Sequence, residues 1–228
     1  MSIAEKLTTV AKNQQKIYDA GKKSEWDTFW DSYQQNGNRQ DYAYAFRHRG
    51  WTDANFRPKY DIVTDACSQM FGSSGIKDLA GCLKAAGVRL DTSLCAGFSY
   101  TFFSSLIEAI PVIDATGASK LEYTFYQAGK LRSIEKLILK TDGSQTFTTT
   151  FGSCSSLEHI AIQGCIGNNI SFSHSSKLTH DSLISILNAL KDFSGTEETR
   201  KLTLGAANLA KLTAAEKAIA ENKGWSLA

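Results

Sequence analysis

The sequence predicts an α/β chain whose middle is a short solenoid of about four to five coils, each of 23–26 residues. A helical N-terminal segment precedes it and an α/β cap follows. Three observations predict this: a stretch that recurs four times with fixed internal offsets, strand-like aliphatic alternation between the recurrences, and helix start and stop signals at the ends. The expected boundaries are residues 1–58 for the N-terminal segment, 59–176 for the solenoid and 177–228 for the cap.

The recurrence is direct. Leu90-Asp-Thr-Ser-Leu-Cys-Ala-Gly-Phe98-Ser-Tyr-Thr-Phe102 aligns with Ile113-Asp-Ala-Thr-Gly-Ala-Ser-Lys-Leu121-Glu-Tyr-Thr-Phe125. Each has an aliphatic anchor, then Asp, an apolar residue eight positions on and Phe twelve positions on. Leu139, Phe147 and Phe151 repeat both offsets, while Ile162 and Ile170 repeat the first and place His174 where Phe is expected. Leu157-Glu-His-Ile160-Ala-Ile162-Gln-Gly-Cys165 reads L-x-x-L-x-L-x-x-C, the core of a leucine-rich repeat. Ile134-x-x-Leu137-x-Leu139 and Ile107-x-x-Ile110-x-Val112 repeat its first half. Alternating residues such as Leu137/Leu139 and Ile160/Ile162 are expected to point inward from short strands. A coil of this size cannot bury its own apolar face, so stacking on neighbours makes the core. A β-sandwich with evenly spaced strands would not need fixed offsets between strand and turn.

Phe151-Gly-Ser-Cys154-Ser-Ser-Leu157-Glu-His-Ile160-Ala-Ile162 resembles the BspA-like leucine-rich-repeat unit, and Thr124-Phe125-Tyr-Gln-Ala-Gly-Lys-Leu131-Arg-Ser-Ile134 is a looser copy. The resemblance covers about residues 60–176. It implies a solenoid and, from the usual role of that family, a surface protein that binds host or partner proteins. The stretch from Trp26 to Arg39, with Gly50-Trp-Thr and Asn55-Phe-Arg-Pro-Lys-Tyr60, resembles leader segments of prophage-encoded particle proteins. The stretches Leu178-Thr-His-Asp-Ser-Leu183 and Gly224-Trp-Ser-Leu227 resemble their C-terminal ends.

The ends read as caps. Ile3, Leu7, Val10 and Ile17 suggest an amphipathic helix, and Trp26, Phe29, Trp30 and Tyr33 form an aromatic stripe at helical spacing. A turn at Gln34–Asn38 and an aromatic-basic stretch from Tyr42 to Trp51 follow. Aromatics interleaved with Arg can stack on bases. Docking onto the first coil is the simpler reading, and no nucleic-acid partner is expected. At the other end, Leu183, Ile184, Ile186, Leu187, Leu190 and Phe193 have helical spacing after the possible caps Thr179, Asp181 and Ser182. Lys201–Gly205 reads as a strand. Thr213-Ala-Ala-Glu216 is a capping box that opens a last helix, stopped at Gly224.

Composition limits function. The 228 residues carry 25 basic and 23 acidic side chains, a formal charge of +2, and 42% are hydrophobic. A disordered chain, a collagen and a highly charged nucleic-acid tail are excluded. No apolar run approaches the ~18 residues of a membrane span, so no membrane insertion is expected. The first ten residues have no apolar h-region or small-residue cleavage site, so the chain reads as made in the cytoplasm without a signal peptide. The odd cysteine count (67, 82, 95, 154 and 165), without C-x-x-C, argues against a disulfide scaffold or a zinc ribbon.

No nucleophile elbow, P-loop or zinc-protease motif occurs, so no catalytic residue, cofactor or metal is expected. Cys154 with His159 could pair as thiol and imidazole, but Cys154 occupies a buried position of the repeat, where Cys acts as a small hydrophobe. Cys165 reads as a structural residue at the repeat turn. Cys154, Cys165, His174 and His180 lack metal-finger spacing. Asp91 and Asp114 read as turn residues bonding their own backbone. The expected function is a non-enzymatic module that binds or assembles with an unidentified protein or surface glycan. The alternative is a structural or receptor-contacting part of a prophage-derived particle, released within it. The candidate contact residues are Glu135, Lys136, His159 and Gln163, with Ala161 beside them, because their neighbours are expected inside.

Overall fold

The computed structural model describes residues 28–30 and 40–228. The chain divides into two compact units, Met1–Gln35 and Asn36–Ala228. In the first, residues 28–30 are helical, and the Phe29 and Trp30 rings meet edge-on with centroids 5.1 Å apart. The helix expected around Ile3–Ile17, the positions Trp26 and Tyr33, and the turn at Gln34–Asn38 lie outside the described residues.

The second unit is mixed α/β with three small parallel sheets, each ordered as its strands occur in the chain. β1 (Gln40–Asp41), β2 (Ile62–Ala66) and β3 (Leu90–Asp91) form the first. β4 (Ala109–Asp114), β5 (Ser133–Ile138) and β6 (His159–Gln163) form the second; β7 (Ile170–Ser171), β8 (Arg200–Thr203) and β9 (Trp225–Leu227) form the third. The helices are α1 (Leu79–Ala86), α2 (His180–Ala189), α3 (Ala206–Leu209) and α4 (Ala214–Asn222). No helix of the described residues is long and apolar enough to cross a membrane.

The strand register corrects the sequence alignment. Ile110 pairs with Ile134 and Ile113 with Leu137, and Ile160 and Ile162 face Ile134 and Leu137 on the other side. The partner of Ile113 is therefore Leu137 and not Leu139. The cause is local: β4 and β5 carry two residues between their paired aliphatic positions, Pro111-Val112 and Glu135-Lys136, whereas β6 carries Ala161 alone between Ile160 and Ile162. The pairing absorbs the difference as a register shift between Ile134 and Leu137. Val112, expected inside, is 36% exposed and Ile113 takes its place. Ile162, also expected inside, is half-buried on the edge strand.

Opposite the strands, each Tyr-Thr-Phe triplet does three jobs. The Phe rings stack on one another inside: Phe46 on Phe71 at 5.1 Å, then Phe102 at 5.4 Å, Phe125 at 5.4 Å, Phe151 at 5.2 Å and Phe172 at 4.5 Å. Phe172, and not the exposed His174, fills the last position, directly after β7, which pairs with β8. The Thr hydroxyls point inward and donate to carbonyls of the preceding unit: Thr101 to Cys67, Thr124 to Phe98 and Thr150 to Leu121. The Tyr rings line the outside, Tyr100 stacked on Tyr123 at 4.9 Å.

These turns also hold every non-glycine residue of positive φ among the described residues. Tyr44, Gln69, Tyr100, Tyr123 and Thr149 lie two positions before a ring, and Ser73, Ser104, Gln127 and Ser153 two after. A left-handed non-glycine residue costs about 1–2 kcal/mol. At Tyr44, Gln69, Ser73, Tyr100, Ser104, Tyr123 and Gln127 what offsets it is hydrogen bonding along the stack. The N–H groups of Tyr100, Phe102 and Ser104 donate to Glu122, Thr124 and Tyr126, and those of Tyr123, Phe125 and Gln127 to Thr148, Thr150 and Gly152. On the strand side Asp91, Asp114 and Asp142 each accept from their own backbone two residues on, at Ser93, Thr116 and Ser144.

The ends close as their polar signals imply. Thr179 caps α2 by accepting from the Ser182 N–H, and Thr213 with Glu216 forms the capping box of α4. The Glu216 carboxylate also meets His180 Nε2 at 2.8 Å, which ties α4 to α2. Cys67 and Cys95 form a disulfide between adjacent units, with Cα atoms 5.9 Å apart, a separation ordinary for the bond. One bridge is present where the cysteine count argued against a scaffold.

Candidate binding surfaces

The outer face of the central sheet carries the residues singled out from the sequence. Glu135, His159 and Gln163 are exposed, while Lys136 and Ala161 are half-buried. The sheet spreads them: Lys136 pairs with Val112, His159 with Ser133 and Gln163 with Ile138. Of the five, Glu135 lines a groove of about 410 Å³ between α1 and β4.

Leu83 and Val88 form one wall of that groove, Pro111 and Val112 the other, and Lys84 and Glu135 stand at its rim. α1 exists because Asp78 accepts from the Gly81 N–H at its start. Gly87, at φ 68°, ends it with its N–H on the Leu83 and Lys84 carbonyls. Both signals stand in the sequence, an Asp and a Gly nine residues apart around Leu79-x-x-Cys82-Leu83, and the reading missed them. Arg89 beside the groove is held by Asp61 at 2.9 Å, so Lys84 is the unpaired cation of the rim among the described residues.

A second groove, of about 440 Å³, is polar and lies across three successive units, lined by Thr146, Phe147, Thr148, Asn168, Asn169 and Arg200. Asn168 donates to the Gln145 carbonyl at 2.9 Å, and Asn169 accepts from the Lys201 N–H at 2.7 Å. Arg200 donates Nε–H to the Gly167 carbonyl at 3.2 Å, pairs with Glu198 and lies over the Phe193 ring, 5.0 Å from its centroid. Apart from Phe147, which holds the eight-residue offset, nothing in the repeat pattern flagged these residues.

The cysteines behave as core or turn residues. Cys154 Sγ donates to the Phe125 carbonyl, and burial pushes its thiol up to about 12. Burial also raises the half-buried Cys165 thiol, which makes no hydrogen bond among the described residues. His159 is exposed on the strand while Cys154 is wholly buried, so the two do not form a reacting pair. Among the described residues no group of His, Cys, Asp and Glu is placed to hold a metal ion. No family model matches the chain, and no curated protein or solved structure matches it either.

Proposed function

We propose that this chain is a short leucine-rich-repeat solenoid of the BspA-like kind, capped by α/β elements, that serves as a non-enzymatic protein-binding module. The observation that carries the binding reading is the apolar groove beside the central sheet, with Val112 36% exposed at its wall and Lys84 unpaired at its rim. A β-branched residue on a solvated strand face loses favourable burial that a partner's apolar side chain would restore. Parallel pairing one unit apart and the Phe column support the solenoid, since each unit buries its apolar face only against its neighbours.

The test compares the immobilised chain with its Val112→Asp form, using extracts of the source cells. Ser226→Asp on an exposed position of β9 is the control. The proposal expects a protein held by the wild type and the control and released by Val112→Asp. Equal retention by all three, or no retained protein, would remove the groove from the binding account.

A further inference from the structure

The regular hydrogen bonding of the turns stops at one place. Phe98 and Leu121 donate their N–H groups to the Lys120 and Thr146 carbonyls of the following unit. By the same geometry the N–H groups of Phe147, Thr149, Phe151 and Ser153 point towards the segment after Asn168, yet they make no hydrogen bond among the described residues. The two units are pressed together on one side and part on the other. At Gly143 and Gly167 the backbones come so close that a Cβ on Gly167 would lie 2.3 Å from the Gly143 carbonyl oxygen. Between Thr146–Thr148 and Asn169 the chains separate, and the polar groove fills the gap.

Its lining is specific in chemistry. Thr146 Oγ1 is buried and has no hydrogen-bond partner. Asn168 has spent its amide N–H groups and keeps a free carbonyl oxygen, while Asn169 has spent its carbonyl oxygen and keeps its amide donors. The Thr148 hydroxyl and the Phe147 N–H are open. Arg200 uses three of its five N–H groups on Gly167, Thr199 and Glu198, leaving two. Lys120, which pairs in register with Thr146, and Lys201, next to Asn169, flank the groove exposed and without an ion pair among the described residues. Neutral donors and acceptors in mixed array suit hydroxyl groups, and a planar guanidinium suits a carboxylate.

We propose that this groove binds a sugar bearing a carboxylate, a uronate unit of an acidic oligosaccharide. The threonine and asparagine side chains hold ring hydroxyls, Arg200 holds the carboxylate, and Lys120 and Lys201 face neighbouring units of the same oligomer. The volume fits one to two sugar rings. Glu198 competes with the carboxylate for Arg200, so its charge weakens binding. The site is separate from the α1–β4 groove and does not depend on what binds there.

Titration calorimetry of the full chain with tetragalacturonate and tetraglucuronate tests this, with galacturonate and glucuronate monomers and a neutral galactotetraose alongside. At least one tetrauronate should bind, more tightly than its monomer, and weaken as salt rises. Arg200→Gln should weaken it by about tenfold or more, as loss of a charge-assisted bond does. Arg200 also braces Gly167, so Thr148→Val provides a change that leaves the fold intact; it should weaken binding by several fold. Glu198→Gln should strengthen binding for the uronates and leave the neutral oligomer unaffected. Binding by the monomers as tight as by the tetramers would make the ligand a free sugar acid and overturn the oligosaccharide assignment. Equal affinity for galactotetraose, insensitivity to both Arg200→Gln and Thr148→Val, or no binding of either tetrauronate at millimolar concentration would overturn the site itself. Val112→Asp should leave uronate binding unchanged, which separates this result from the protein-binding test.

Discussion

Phe125 sits in the middle of the ring column, wholly buried, with Phe102 at 5.4 Å on one side and Phe151 at 5.2 Å on the other. Phe125→Leu keeps an apolar group there but removes both ring contacts. At about 1 kcal/mol for each stacked pair the loss is ~2 kcal/mol, and the unfilled ring volume adds about 1 kcal/mol. Phe172 is equally buried but has one ring neighbour, Phe151 at 4.5 Å, so Phe172→Leu should cost about 2 kcal/mol. Urea unfolding followed by far-UV circular dichroism reads both as shifts in midpoint at unchanged slope. The double substitution Phe102→Leu/Phe125→Leu should cost about 1 kcal/mol less than the sum of the singles, because the two share a contact. If Phe125→Leu costs no more than Phe172→Leu, or the double is strictly additive, the rings act as independent fillers and the column reasoning is wrong.

Thr149, a β-branched residue at φ 52° and exposed, should gain about 0.5–1 kcal/mol as Thr149→Gly, since relief of the left-handed strain exceeds glycine's added unfolded-state entropy. A lower urea midpoint would count against it. Burial raises the folded Cys154 thiol to about 12 from 9.0. Its contribution to stability is therefore complete below pH 9 and lost as the pH climbs towards 12, where the unfolded thiolate forms first. Between pH 8 and pH 10 the wild type should lose about 1.4 kcal/mol more than Cys154→Ala, and parallel pH curves for the two would contradict the assignment. The Cys67–Cys95 bridge closes a separation of 28 residues, which corresponds to about 3–4 kcal/mol of unfolded-state constraint. Peptide mapping without reductant should find that pair and leave Cys82, Cys154 and Cys165 as thiols; another pairing would refute it.

Much of the turn side was legible because successive units reuse a residue for the same job. In Tyr100-Thr-Phe102 and Tyr123-Thr-Phe125 an outward ring, an inward hydroxyl and an inward ring recur, whereas Gln69-Met-Phe71 keeps only the inward ring and Thr149-Thr-Phe151 the hydroxyl and the ring. The recurring Asp was legible for the same reason, as each bonds the backbone two residues on. The strand side misled because inward positions there are set by how many residues lie between them, and aliphatic residues stand on both faces. Val112 and Ile113 look alike in sequence and face opposite ways. The polar groove was out of reach for another reason. Thr146 and Arg200 are far apart in the chain, and the gap between them exists because a hydrogen-bond pattern fails, an event that no residue identity announces.

The stack's strand side after β6 and its turn side one unit earlier are treated in opposite ways. The strand side is sealed: α2 lies along β6, and the Ser182 and Ser185 hydroxyls accept the Ile160 and Ile162 N–H groups at 3.0 and 2.9 Å. A helix with serines three apart thus supplies the acceptors that a next strand would have supplied, and it removes an edge on which another chain could pair. On the turn side, one boundary earlier, between the units of β5 and β6, four N–H groups stay open. That row is a poor template for a foreign strand, because Thr149 and Ser153 are left-handed and break the extended geometry a strand must match. The open side therefore carries little of the aggregation liability that the sealed side would have carried. An open row of donors is tolerable there, and the polar groove reaches it at Phe147.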